Sequence, residues 1–203
     1  VKSGNILIGP WYVLSDQFLT SGESTIRNLT YGLHIAKEFG GAMAVGYCPD
    51  QFGEMAQLPQ ILKGFNISSV VVGRGIQDNS AEHIWSSLSG DNVLVIYLTH
   101  WYNNAQKLPD PTCTKKLHDY IEQIYLKQYK TSASGHILLM NGCDHLYPQE
   151  NIQEILSSLD GNKKWTLKQS SLPIAIRDII ESDKTTDYPI CFGELRSDNN
   201  KYI

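Results

Sequence analysis

The 203-residue sequence predicts an α/β protein built on a parallel sheet. Short runs of apolar and β-branched residues recur along the chain, and helical patterns separate them. The runs are almost continuously apolar rather than alternating, which suits parallel strands covered on both faces.

The predicted strands are residues 5–8, 42–46, 69–72, 93–98, 136–140 and 165–168. A first helix follows Thr20 and Glu23, which stand in capping-box spacing. Ile26, Leu29, Leu33 and Ala36 form its apolar face, and Gly40-Gly41 ends it in the manner of a left-handed cap. A second helix runs over 55–63 and stops at Gly64. The third, 112–130, buries Leu117, Tyr120, Ile121 and Ile124. The fourth starts after Pro148 and carries Ile152, Ile155, Leu156 and Leu159 at helical spacing; the fifth covers 173–181. His34, His83 and His118 fall on helices in this reading and receive no role. No repeat, low-complexity stretch or linker divides the chain, so a single domain is expected.

Composition narrows the function classes. With 41% hydrophobic and 19% charged residues the chain is an ordinary folded one. The net charge of -4 is spread out and no Lys or Arg stripe occurs, which argues against nucleic acid or an anionic membrane surface as partner. No apolar run approaches the ~20 residues of a membrane span. Cys48, Cys113, Cys143 and Cys191 form no C-x-x-C pair; reduced, mostly buried thiols in a cytoplasmic protein are the simplest expectation. The chain opens on Val1 without an initiator Met or leader pattern, and stops soon after Arg196-Ser197-Asp198-Asn199. Both ends read as cuts inside a larger protein.

In parallel α/β folds ligands bind beyond the carboxyl ends of the strands. The residues there are Asp50 in Tyr47-Cys48-Pro49-Asp50, Arg74 between two glycines, His100-Trp101-Tyr102, and Asp144-His145. Two carboxylates, a guanidinium, two imidazoles and several aromatics suit a carbohydrate site. Paired carboxylates are what glycoside hydrolysis uses, one attacking the anomeric carbon and the other moving the proton. Each residue also has a plainer reading. Asp50 suits a helix cap or turn, Asp144 follows the turn dipeptide Asn141-Gly142, and Arg74 suits a surface turn. The aromatics after 93–98 either stack on a sugar or plug the sheet. His145 tunes Asp144, binds metal, or only packs. No H-x-x-x-H, H-E-x-x-H or EF-hand spacing assembles a metal site.

Several motifs go further. Ile8-Gly9-Pro10-Trp11-Tyr12-Val13-Leu14-Ser15-Asp16, Ser21-Gly22-Glu23-Ser24-Thr25-Ile26-Arg27-Asn28-Leu29 and Val45-Gly46-Tyr47-Cys48-Pro49-Asp50-Gln51-Phe52-Gly53 resemble bacterial family 38 α-mannosidases. So do Ala56-Gln57-Leu58-Pro59-Gln60-Ile61-Leu62, Leu138-Leu139-Met140-Asn141-Gly142-Cys143-Asp144-His145 and Gly193-Glu194-Leu195-Arg196. The resemblance implies a (β/α) barrel of about seven strands, incomplete in this chain. It implies a retaining, zinc-dependent α-mannosidase with an α-mannoside or mannosyl glycan as substrate. Asp50 is implied as nucleophile and metal ligand, and Asp144 as acid/base. Phe52, Arg74, Tyr102 and His145 are implied around the substrate. The resemblance also allows a homodimer for the full-length protein. Hydrolysis of a phosphorylated mannosylglycerate, and a non-catalytic glycan-binding or structural role, stand as alternatives.

Two positions depart from the family pattern. The family commonly has Glu where this chain has Gln17, and His where it has Glu54. Glu54 is expected to add negative charge near Asp50 and raise its pKa. The other implied zinc ligands, an H-x-D motif and a further histidine, match nothing in this chain. This chain alone is therefore expected to hold no metal tightly and to have negligible activity.

Overall fold

A computed structural model of the chain describes residues 1–182 and 187–196. The stretch Ser197-Asp198-Asn199 near the expected cut lies outside the described residues. Five strands form one sheet in the order β1-β2-β4-β3-β5: β1 (Gly46–Cys48), β2 (Ser69–Val72), β3 (Glu82–Ser86), β4 (Asn92–Tyr97) and β5 (Ile190–Phe192). The pairs β1·β2, β2·β4 and β3·β5 are parallel, and β3·β4 is antiparallel. The fold is thus mixed α/β with a mostly parallel sheet.

The central strands explain why their sequences are continuously apolar. Val70, Val72, Val93 and Val95 face a core built with Leu29 of α1 (Gly22–Glu38) and with Leu58 and Leu62 of α2 (Leu58–Gly64). Val71, Leu94 and Ile96 face the other side, against Ile176 and Ile179 of α5 (Leu172–Glu181). Each such side chain contributes roughly 1.5–3 kcal/mol by leaving water. A third cluster joins Leu117 and Ile121 of α3 (Thr114–Gln128) to Ile155 of α4 (Ile152–Ser158).

Helix α1 begins one residue later than the capping-box spacing suggests. Its N-cap is Ser21, whose side chain accepts the Ser24 N–H at 3.1 Å. The buried stripe is Thr25, Leu29, Gly32 and Ala36, which leaves Ile26 exposed. The reason is the chain before it, which crosses α1 at Gly32, where a side chain would collide with the Pro10 carbonyl. Asn28 fastens that crossing by accepting the Tyr12 and Val13 N–H groups and donating to the Val13 carbonyl. The end of the helix is as expected: Gly40 and Gly41 both have positive φ, and the Gly41 N–H returns to the Ala36 carbonyl at 2.8 Å.

Three expected strands do not form. Residues 5–8 contribute one backbone bond, from the Met43 N–H to the Ile8 carbonyl, while Ile6 and Leu7 stay exposed. Residues 136–140 are held by side chains of a neighbouring loop rather than by a ladder. Residues 165–168 lie against α3, with the Trp165 indole donating to Glu122. The expected strand 42–46 shifts to Gly46–Cys48. Two strands were not anticipated. In β3 the polar pair Glu82-His83 interrupts the apolar pattern, so His83 lies on a strand and not on a helix. β5 is a short edge strand with Ile190 and Phe192 exposed.

Among the described residues no helix is long and apolar enough to cross a membrane. All four cysteines are free, but only Cys48 is buried, and Cys113 is exposed. The expectation of mostly buried thiols is corrected accordingly.

Candidate active site

Because β1, β2 and β4 run parallel and adjacent, their carboxyl ends open on one side. Asp50 lies two residues beyond β1, Arg74 two beyond β2, and Tyr102 follows β4. The ends of β1 and β2 approach closely because residue 73 is glycine. Its N–H bonds the Cys48 carbonyl at 3.1 Å, and a Cβ there would strike the Pro49 carbonyl.

Asp50 caps no helix; the next one begins at Leu58. Instead Arg74 converges on one of its oxygens, with Nη2 and Nε at 2.5 and 3.1 Å from Oδ1. Nε also lies 3.3 Å from the Asp50 backbone carbonyl. The guanidinium is sandwiched, 4.6 Å from the Phe52 ring centroid and 4.7 Å from that of Trp101. Arg74 is therefore a fixed partner of Asp50 rather than a surface turn residue. Trp101 reaches its place with φ of 73°, a left-handed conformation costing a bulky residue about 1 kcal/mol or more. That strain and the stacking on Arg74 occur in the same residue.

The Tyr102 hydroxyl lies 3.4 Å from Asp50 Oδ2 and 3.1 Å from Asp144 Oδ2. The two carboxylate oxygens are thus at most about 6.5 Å apart, the sum of those distances. Partial burial, then the bond to Asp144 and the two nearby carboxylates, push the Tyr102 phenol up to about 12. It remains a neutral donor across the working pH range. The side chain of Asp50 is 43% exposed, and Asp144 is exposed, so both are open to a ligand from solvent.

Asp50, Arg74, Phe52, Tyr102 and Asp144 thus come together. His145 does not: it is exposed, has φ of 62°, and among the described residues makes no hydrogen bond to either carboxylate. Asp16 joins the site without having been singled out, and Trp101, expected to stack on a sugar or plug the sheet, is found stacked on Arg74. The Asp16 carboxylate accepts the Phe52 N–H at 2.8 Å and so sets the loop after Asp50. Its place at the end of the Ile8-to-Asp16 motif was the one available signal.

The two departures from the family pattern meet in one buried cluster. Glu54 is 2% exposed and Gln17 4% exposed; Cys48 and Gln17 neighbour the Glu54 carboxyl, whose Oε2 is buried with no hydrogen-bond partner among the described residues. The Gln17 amide oxygen also accepts the Met55 N–H at 3.1 Å. Burial pushes Glu54 up to about 8, outweighing the opposing pull of Cys48 and Gln17, so it mostly keeps its proton at neutral pH. The negative charge expected from Glu54 is therefore largely suppressed at pH 7.

A stability consequence follows. Folded Glu54 holds its proton more tightly than the unfolded chain does. The stability this allows is complete below about pH 4.5 and is lost as pH rises toward 8. The variant Glu54→Gln is expected to gain on the parent by up to about 1.4 kcal/mol per pH unit over that window. Urea unfolding at pH 5 and pH 8 measures this, and equal slopes for both proteins would contradict it.

These residues alone do not fit zinc. Among the described residues no group of three or more His, Cys, Asp or Glu side chains is arranged to hold a metal ion, and Asp50 Oδ1 is engaged by Arg74.

Comparison with known proteins bears on the same segments. The profile of the glycosyl hydrolases family 38 N-terminal domain matches residues 1–188. A Halalkalibacterium halodurans protein named "Putative mannosylglycerate hydrolase" is 33% identical over 175 residues, covering 77% of this chain and 19% of its own length. Alpha-mannosidase G of Dictyostelium discoideum is 36% identical over 92 residues, 42% of this chain and 8% of that protein. The crystal structure of an alpha-mannosidase from Enterococcus faecalis V583 superposes with a TM-score of 0.87 at 28% identity, covering 95% of this chain and 22% of the solved one. The chain thus spans about a fifth or less of the length of these relatives. With its profile match, its superposition and its strand-end carboxylates in agreement, the chain belongs to glycosyl hydrolase family 38, in that family's N-terminal domain.

Proposed function

We propose that the protein hydrolyses α-mannosidic bonds with retention of configuration, through a covalent glycosyl-enzyme on Asp50. The observation that supports this reading is the shared Tyr102 hydroxyl, which lies within 3.4 Å of both the Asp50 and the Asp144 carboxylate. Their bound of about 6.5 Å suits the ~5–5.5 Å of retaining enzymes better than the ~6.5–9.5 Å of inverting ones.

The parts divide as follows. Arg74 holds Oδ1 of Asp50 and leaves Oδ2 to attack the anomeric carbon. As that bond forms the glycosidic C–O bond breaks, and Asp144 gives its proton to the leaving oxygen. Asp144 then takes a proton from water, which attacks the same carbon and releases Asp50. Tyr102 has one proton for two carboxylates. Turned to Asp50 it leaves Asp144 free to hold its own proton; turned to Asp144 it stabilises the carboxylate left after proton transfer. Zinc enters only as an ion that Asp50 would share with ligands outside the described residues, supplying charge to the sugar hydroxyls, and no step here depends on it. The same reading takes the five-stranded sheet as part of the (β/α) barrel of about seven strands that the resemblance implies.

The test is the anomer first released by the complete protein that contains this chain. Proton NMR of early turnover of an aryl α-mannoside is expected to show α-mannose before mutarotation. A β-anomer first would remove the covalent step. The relative named for mannosylglycerate hydrolysis favours a second reading of the substrate, a mannosyl bond to glycerate or its phosphorylated form. Comparing kcat/KM on mannosylglycerate, its phosphorylated form and mannobioses separates the two.

A further inference from the structure

The geometry points to Asn104 as a positioning residue for the proposed acid/base Asp144, an inference that rests on the reading above. Residues 132–151 contain no helix or strand, yet Asp144 must sit at a defined distance from Asp50. The loop after β4 supplies the missing order. Asn104 Oδ1 accepts the Met140 N–H at 2.7 Å, and Asn104 Nδ2 donates to the Leu138 carbonyl at 2.9 Å. One side-chain amide thereby does what a neighbouring strand's peptide group would do for 138–140. The next residue continues the pairing, with the Ala105 N–H on the Met140 carbonyl at 3.1 Å.

On either side the contacts run on toward the site. Asn141 Nδ2 donates to the Ala105 carbonyl at 2.8 Å, and Asn103 Nδ2 reaches Cys143 Sγ at 3.4 Å. Tyr102 then takes Asp144 itself. Behind Asn104 stands Gln128, the last residue of α3 and only 7% exposed, whose Oε1 accepts from Asn104 Nδ2 at 3.2 Å. With Oδ1 taken by an N–H and Nδ2 by two oxygens, only one orientation of the amide satisfies the bonds. Asn104 is partly buried and touches neither carboxylate in any described hydrogen bond, so its effect passes through the backbone of 138–140.

The experiment uses Asn104→Ala, Gln128→Leu and Asp144→Asn in the complete protein, each assayed on two α-mannosides. One has a 2,4-dinitrophenyl leaving group that needs no proton; the other has a poor leaving group that does. A misplaced acid is expected to lower kcat/KM on the poor substrate by on the order of 10- to 100-fold and on the dinitrophenyl substrate by less than about 3-fold. Amide exchange of Met140 is expected to quicken in the same two positioning variants. General damage to the fold would lower both substrates together. Equal losses, or none, in Asn104→Ala overturn the inference when Asp144→Asn shows the split. If Asn104→Ala does not fold, Gln128→Leu decides on the same criterion. Absence of the split in Asp144→Asn sinks the acid/base reading, and the inference falls with it.

Discussion

Asp50→Ala in the complete protein is expected to abolish turnover of an activated aryl α-mannoside, by at least about 10⁴-fold in kcat. The expectation comes from what surrounds the side chain. Arg74 fixes one oxygen and leaves the other directed toward the Tyr102 hydroxyl, which also meets Asp144. No described side chain occupies that oxygen's position in its absence, and a methyl group has no lone pair to offer an anomeric carbon. Azide is expected to recover part of the rate on a 2,4-dinitrophenyl mannoside by attacking from the vacated side, giving the inverted glycosyl azide. Turnover within about tenfold of the parent would defeat the nucleophile assignment.

The second large effect is expected from Arg74→Lys, which keeps the charge and loses the geometry. Two guanidinium nitrogens meet Asp50 Oδ1, and the flat cation lies between the rings of Phe52 and Trp101. An ammonium offers a single nitrogen and has no face to stack. Asp50 then keeps a counter-charge but not its orientation. A displaced reacting group of this kind costs roughly 10²-fold. The loss should fall on kcat if, as proposed, Asp50 is the attacking carboxylate that Arg74 orients. Steady-state kinetics on an activated aryl α-mannoside checks this; a change confined to KM would place Arg74 in substrate binding instead.

Much of this site was legible in the sequence because strand ends are legible. Runs such as Ser69–Val72 are apolar on both faces, and the residues just past them must lie at one end of a parallel sheet. That logic located Asp50, Arg74, Trp101, Tyr102 and Asp144, and the motif resemblance added Phe52 and the roles expected of the two aspartates. The logic failed where order comes from side chains. Residues 136–140 carry a strand-like pattern, but their partner is an asparagine amide rather than another strand. In β3 the opposite happened. Glu82 and His83 look unsuited to a buried strand, yet both are 1% exposed. Glu82 accepts from Ser132, Ala133 and Ser134, and His83 Nε2 meets Asp78 at 2.9 Å. The five-residue Ser87-Leu88-Ser89-Gly90-Asp91 turn, with Gly90 at positive φ, was the overlooked signal for this hairpin. Charge at Glu54 was misjudged for a related reason, since a formal charge read from sequence ignores desolvation.

The run of contacts from Tyr102 to Ala105 has one more implication, for anyone recombining this domain with a relative. Four consecutive residues each grip a point between Leu138 and Asp144, so the spacing of one loop is a ruler for the other. Lengthening either by a single residue would slide the teeth out of mesh. Graft the two loops together, with Gln128 beneath them, and the ruler travels intact.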